Sequence, residues 1–415
     1  RFFGIMFLTS NEESILAGEH GQGLQAAFQL IVDVGDFFGA EKLIPISSAH
    51  ISGVSYLTGR DGLLKHLKYF VDKNSHVSVT STLNPCGMDR VYWKDMFVKN
   101  DFAHKQFQIL DYYQKLGVST TCSCTPYDFG NIPLKGQHIA WAESSAICFA
   151  NTYFGARTNK EDALSVLAAA ISGKTSYYGF HLRDNRVPNI KVIVDKPITD
   201  LAEYGALGHI VGDQTKTMKF PWGPIPVFEL KNIPRPQHIK TLGAALASFG
   251  TALYHIKDVT PEQELLDKLS ISETIKVTSD DIDQVFNEFS PNKSISSPKA
   301  SIVVIGCPNA SLEEIIEVVE KVKNKKIKSG KEFWVFTNRA QKALAEACGY
   351  LQILTEAGVK VYCDTCPEVF PYDKTKFPAV MTNSAKAVHY IPAPNLNGIP
   401  TYLLPLDQCV ERFFE

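Results

Sequence analysis

Ser301-Ile302-Val303-Val304-Ile305 is a β-branched run, and Gly306-Cys307-Pro308-Asn309 follows it directly. Next come an amphipathic stretch over residues 311–325, an apolar run over 332–336, a helical pattern over 339–358 and a third short run, Val359-Lys360-Val361-Tyr362. Strand-like and helix-like periods thus alternate as βαβαβ, and a helical crossover forces neighbouring strands to be parallel. Parallel strands present their carboxyl ends on one edge, which is where α/β sheets bind ligands. Cys307 lies two residues past the first strand, and Cys363 and Cys366 lie at and beyond the end of the third. Thiols distant in sequence are therefore predicted on one functional edge.

Upstream of this unit the composition changes. Residues 290–299 read Ser-Pro-Asn-Lys-Ser-Ile-Ser-Ser-Pro-Lys, a linker composition, after a short acidic helix that Ser279 is placed to cap. The chain is accordingly divided into an N-terminal catalytic α/β region over 1–285, read as two subdomains, a linker over 286–300, and a C-terminal α/β domain over 301–415. Residues 9–41 read as a capped, long amphipathic helix, with Ser10 or Asn11 as the cap and Glu12 and Glu13 in the first turn. Short β-like runs follow at 42–46 and 76–80, and residues 101–117 read as a helix ending on glycine. Between Cys122 and Asn185 small and polar residues are dense, as in close-packed loops around a site.

Bulk properties agree with a multidomain enzyme. The 415 residues predict two to four domains; hydrophobic residues make 45% and charged residues 21%. The formal net charge of −2 disfavours a nucleic-acid partner, and no apolar run is long enough for a membrane helix. Nine cysteines, an odd number in a chain this long, argue against an extracellular disulfide framework. The apolar run at the N-terminus breaks at Thr9-Ser10-Asn11, too early for a signal peptide, so the cytoplasm is the expected compartment.

Two of these cysteines precede proline, in Gly306-Cys307-Pro308 and Thr365-Cys366-Pro367, and a third loop is Cys122-Ser123-Cys124-Thr125-Pro126. Proline stiffens a loop, which suits a ligand position. Three thiolates from three loops can hold a metal or an iron–sulfur cluster; Cys122/Cys124 and Cys363/Cys366 also allow zinc, and buried thiols as small hydrophobes remain the plain alternative. Cys148, Cys348 and Cys409 fit that plain reading. Ser48-Ala49-His50 with Gly53-Val54-Ser55-Tyr56, and Thr82-Leu83-Asn84-Pro85-Cys86-Gly87, are strand-to-loop turns with backbone donors for an anion. Glu143 and Arg157 read as a site carboxylate and guanidinium or as an internal ion pair. Lys386 and Arg157 read as cations for an anionic substrate or, for Lys386, as a solvated loop lysine, and His50, His138, His181 and His389 as candidate acids or hydrogen-bonded histidines.

Taken together, these segments resemble the aconitase X family. The residues that carry the resemblance include Leu16-Ala17-Gly18-Glu19, Ser48-Ala49-His50, Gly53-Val54-Ser55-Tyr56, Thr82-Leu83-Asn84-Pro85 and Cys124-Thr125-Pro126-Tyr127. They continue through His138 to Ala146, Gly155-Ala156-Arg157-Thr158-Asn159, Gly306-Cys307-Pro308, Asp364-Thr365-Cys366-Pro367 and Asn383-Ser384 before Lys386. The resemblance implies an α/β aconitase-superfamily architecture, with parallel and mixed sheets flanked by helices, and an iron–sulfur hydro-lyase activity. It implies a 4Fe–4S cluster on Cys124, Cys307 and Cys366, and substrate contacts at Gly53, Val54, Ser55, Asn84, Pro85, Ala385 and Lys386. Position 385 is usually glycine in that family. The form of the Gly53 loop looks like the branch that dehydrates (R)-5-phosphomevalonate to trans-anhydromevalonate 5-phosphate in isoprenoid biosynthesis; the alternatives are a 3-hydroxyproline dehydratase and a non-catalytic thiol or zinc scaffold. The resemblance also implies that the base is a serine of a separate small swivel-domain subunit, in a heterodimer or larger assembly.

Overall fold

The structure, a computed structural model, describes residues 6–268, 273–290 and 299–415. Its strands form three parallel sheets and one antiparallel pair, arranged in three successive units. The first unit holds β1 (Leu43–Pro45), β2 (Ser48–Ile51), β3 (Thr80–Leu83), β4 (Ala140–Trp141) and β5 (Lys174–Ser176). Its parallel sheet runs β3-β2-β4, with His50 opposite Thr82 and Trp141, while β1 and β5 pair antiparallel. Helices Gln22–Phe38, Tyr56–Asp72, Asn100–Lys115 and Ala163–Ser172 cover this sheet. Phe28, Ile31, Leu67, Ile109 and Leu167 are among the side chains they bury against it.

The second unit holds β6 (Ile190–Val194), β7 (Pro226–Glu229), β8 (His255–Ile256) and β9 (Glu273–Val277), ordered β8-β7-β6-β9 and all parallel. Helices Leu201–Thr215 and Pro236–Ser248 pack closely, at Gly208 against Ala245 and at Gly212 against Phe249. The third unit holds β10 (Ile302–Ala310), β11 (Glu332–Thr337), β12 (Val359–Tyr362), β13 (Val380–Thr382) and β14 (Thr401–Leu403). Its order, β12-β11-β10-β13-β14, is parallel throughout, so the βαβαβ reading holds and extends by two strands. β10 lies at the centre and is buried along its whole length, as a strand covered on both faces must be.

Several local expectations change. The helical pattern over 9–41 is two helices, Ser10–Leu16 and Gln22–Phe38, and the first is capped by Thr9 in a capping box with Glu12. Thr278, again in a capping box, takes the role expected of Ser279. The run at 76–80 is a lead-in: Val77 and Ser78 donate their N–H groups to Leu116 and Ala170 carbonyls, and the ladder with β2 begins at Thr80. The stretch 339–358 splits into Arg339–Ala347 and Tyr350–Ala357 at Gly349, whose positive φ of 78° ends one helix and starts the next. Linker residues 291–298 lie outside the described residues. Among the described residues no helix is long and apolar enough to cross a membrane.

Candidate active site

The sheet edges of the first and third units face one another, and their loops interlock. Gly53-Val54-Ser55 leaves β2 and opens helix Tyr56–Asp72, where the Ser55 hydroxyl accepts from the Leu57 N–H at 3.1 Å. The same hydroxyl donates to the Val369 carbonyl at 2.8 Å, which ties this loop to the one carrying Cys366. Asn84-Pro85 leaves β3, and the Cys86 N–H donates to the Asp364 carbonyl at 2.8 Å. The buried Gln106 amide clamps the two first-unit loops: its Oε1 accepts from Tyr56 N and Gly87 N, and its Nε2 donates to Val54 O. Nothing in the sequence sets Gln106 apart from the other polar residues of its helix.

Cys124 and Cys366 are buried free thiols on two of these loops, and Cys307, expected two residues past its strand, is a third within the irregular end of β10. Asn309 joins two of them: its N–H donates to Cys124 Sγ at 3.2 Å, its Oδ1 accepts from Cys124 N at 3.2 Å, and its Nδ2 donates to Thr365 O at 3.2 Å. The Ser384 hydroxyl holds the Cys307 carbonyl at 2.6 Å. Burial pushes the Cys124 thiol up to about 12, with Glu143 adding to the rise and Lys386 opposing it. Cys307 and Cys366 are pushed up in the same sense, first by burial and then by Glu368, and each lies within electrostatic reach of the other or of Cys124.

Cys363, by contrast, is anchored through its N–H to Asp89 at 2.8 Å. The neighbouring Asp364 is fully buried and receives the guanidinium groups of Arg90 and Arg339. These contacts hold the loop so that the thiols at 363 and 366 have different surroundings.

Lys386 lies deep in the site and is not a solvated loop lysine. It is 4% exposed, with its ammonium 2.6 Å from Glu143 and 3.8 Å from Glu368. Burial works against the charge, but the two carboxylates outweigh it and raise the pKa well above the usual lysine value. Burial likewise opposes ionisation of Glu143, yet the Lys386 charge and hydrogen bonds from Lys386, Ser145 and Asn84 hold it down at about 2. Glu368 moves the other way, because burial and the Glu143 charge exceed what Lys386 returns.

Asn84 donates to Glu143 at 2.8 Å, and its side-chain oxygen neighbours the His50 ring. His50, one strand over, shares a hydrogen bond with Thr82 at 2.8 Å and is pushed down to about 4 by burial, so it is neutral at pH 7. Ala385 begins the helix Ala385–Tyr390 with its methyl toward Gly205: a Cβ built at Gly205 would lie 3.2 Å from it. The extra methyl relative to glycine is thus received by the neighbouring helix.

Other candidates lie apart. Arg157 forms no ion pair with Glu143; its guanidinium donates to the His181 carbonyl, where the rings of His138 and His181 meet at 3.0 Å between Nδ1 atoms. Cys148 and Cys409 are buried as expected of small apolar side chains, but Cys348 is exposed. Glu368 has no signal in the sequence beyond standing two residues after Cys366.

Family models for the aconitase X first, second and third domains match residues 5–184, 188–287 and 300–415. This chain belongs to the aconitase X family. It is 42% identical over 397 residues to the phosphomevalonate dehydratase large subunit of Methanocaldococcus jannaschii, covering 94% of this chain and 96% of that protein. It is 41% identical over 410 residues to the protein of the same name from Methanosarcina mazei, covering 98% and 97%. The cis-3-hydroxy-L-proline dehydratase of Hypocrea jecorina is 30% identical, and the match covers 97% of this chain but 68% of that one. A crystal structure of Thermococcus kodakaraensis aconitase X in its holo-form superposes with a TM-score of 0.89 at 38% identity, covering 98% of this chain and all of that one.

The aconitase-type family points to an iron–sulfur cluster, and the donor set fits one. Three uncrosslinked thiols of the soft type that binds iron–sulfur centres lie on two loops and the end of β10, with an amide N–H already directed at one sulfur. The Lys386 charge lowers the cost of thiolates at all three positions. Among the described residues no three His, Cys, Asp or Glu side chains converge as they would on a single metal ion. A cluster asks for something different, because each thiolate takes a different iron.

Proposed function

We propose that this chain is the large subunit of a hydro-lyase that removes water from (R)-5-phosphomevalonate, giving trans-anhydromevalonate 5-phosphate, in partnership with a small subunit. The observation that carries the reading is the buried Lys386–Glu143–Asn84 array set beside Cys124, Cys307 and Cys366. The Methanocaldococcus and Methanosarcina relatives named for this activity are 42% and 41% identical to the chain, against 30% for the hydroxyproline dehydratase. A cluster bound at the three cysteines would supply a Lewis acid for the departing hydroxyl and the neighbouring carboxylate.

The chain's own residues bind and orient. Lys386 presents a fixed positive charge, held in place by two carboxylates rather than by solvent, so little reorganisation is needed as negative charge develops nearby. The Asn84 amide donation to Glu143 fixes which way the side chain faces, and its oxygen is turned to the neutral His50 ring. Gly53, Val54 and Ser55 bring backbone groups to the first turn of Tyr56–Asp72, which Arg60, at φ 49°, breaks from the longer helix that follows. Pro85 stiffens the turn between Asn84 and the Cys86 N–H bond to the Asp364 carbonyl.

Glu143 is a poor base, since Lys386, Ser145 and Asn84 all stabilise its ionised form. A base from the small subunit, a serine by family resemblance, accounts for the proton that must leave. The test is anaerobic purification with the co-expressed small subunit, followed by assays on (R)-5-phosphomevalonate and cis-3-hydroxy-L-proline. Iron and sulfide at about four each per chain, with turnover of the phosphorylated substrate alone, is the expected result. Turnover of hydroxyproline only, or zinc in place of iron after anaerobic reconstitution, would refute it.

A further inference from the structure

Lys386 brings one positive charge to the site, but Glu143 and Glu368 already answer it. A substrate with a carboxylate and a phosphate monoester carries about three negative charges near pH 7, so it calls for a further cation. Lys160 stands where such a cation is needed. It is exposed where Lys386 is buried, it forms no salt bridge among the described residues, and its ammonium makes a long hydrogen bond, 3.4 Å to the Ala247 carbonyl.

Two observations relate Lys160 to the site. Its charge is within electrostatic reach of both Lys386 and Glu143. Its loop leads into helix Ala163–Ser172, and Ala163 abuts the Gly53 loop: a Cβ built at Gly53 would lie 3.2 Å from the Ala163 methyl. The ammonium is thus held at the end of helix Pro236–Ser248 by Ala247, and Lys160 stands three residues before the side chain that abuts the Gly53 loop. Partial desolvation and the like charge of Lys386 both disfavour it when no anion is bound, and an anion relieves both. Arg157, the other basic residue of this segment, is turned away to His181.

We infer that Lys160 is the phosphate-binding residue of this site, receiving the phosphoryl end of the substrate while Lys386 serves the end that reacts. The inference rests on the dehydratase reading above and adds a specificity element to it. An unphosphorylated hydroxy acid has no group for Lys160 to hold.

The experiment compares the wild-type complex with Lys160→Met and Lys160→Arg, measuring equilibrium binding of (R)-5-phosphomevalonate and of unphosphorylated mevalonate alongside turnover. Lys160→Met is expected to weaken binding of the phosphorylated compound about tenfold or more, to leave mevalonate binding unchanged, and to raise KM with little change in kcat. Lys160→Arg is expected to restore most of the loss. Equal phosphomevalonate affinities in wild type and Lys160→Met would overturn the assignment, as would an equal loss for both compounds. Phosphate-dependent binding that needs Lys160, without turnover in the wild type, would sink the dehydratase reading and leave the subsite standing.

Discussion

Lys386 is tolerated away from water because two carboxylates share its charge, and that dependence makes it informative to mutate. Lys386→Met keeps the length of the side chain and removes the charge. We expect kcat/KM to fall at least about a hundredfold while iron and sulfide per chain stay at the wild-type level. Cys307→Ser should do the opposite to the metal: iron, sulfide and colour are lost together with turnover, as read by metal analysis and visible absorbance. Next to Lys160 in the chain, Glu161 is a carboxyl whose pKa burial raises from 4.5 to about 7, against the hydrogen bond it accepts from Thr175. Between those values the folded chain holds a proton that the unfolded chain has released. Stability therefore falls as pH rises from about 4.5 to 7 and is flat above, by up to about 1.4 kcal/mol per unit of pH. Glu161→Gln should remove that slope from the melting temperature measured across the interval.

At the scale of the element, the end of β10 shows what the sequence conveys and what it conceals. The β-branched run 301–305 predicts a strand, and there is one, but pairing continues irregularly past Gly306 as far as Ala310, beside Thr337. Gly306 has φ 97°, and a Cβ there would come within 2.0 Å of the Phe336 carbonyl oxygen. Gly306→Ala should cost at least about 2 kcal/mol in denaturant unfolding and lower cluster occupancy, because the backbone shift displaces Cys307. Glycine before Cys307 is plain in the sequence; the carbonyl that requires it belongs to another strand. The caps teach a similar lesson. Thr9 and Thr278 cap helices for which the adjacent serines are equally suitable by composition, and backbone direction makes the choice.

At the scale of the molecule, one buried ion pair joins two units at the site. Lys240 of helix Pro236–Ser248 meets Glu314 of helix Leu312–Val322, both nearly solvent-free, and also donates to Asn309 O at 2.9 Å. Asn309 in turn positions Cys124, so the second and third units act together on a thiol of the first. Lys240→Met leaves Glu314 buried and unpaired and should destabilise the protein by about 3–5 kcal/mol, with weaker iron retention. The double change Lys240→Met with Glu314→Leu should recover much of the stability in the same unfolding measurement. If the single and double variants unfold alike, the pair is not a junction between the units.

The parallel third sheet and the edge carrying Cys307, Cys363 and Cys366 are legible along the chain, because hydrophobic period and crossover geometry are local properties. So is the likeness that singles out Cys124, Cys307, Cys366 and Lys386, since it rests on short motifs in order. Partnership is another matter. Lys386 and Glu143 are 243 positions apart, and no pattern in either neighbourhood marks them as a pair rather than Glu143 with Arg157. Gln106 has no local signal, Asn309 and Glu368 have none beyond standing two residues after Cys307 and Cys366, and each matters only because segments from separate sheets close on it. Tertiary structure decides such contacts because a buried charge or amide takes its meaning from what packing brings within about 3 Å of it, and packing joins segments that sequence keeps far apart.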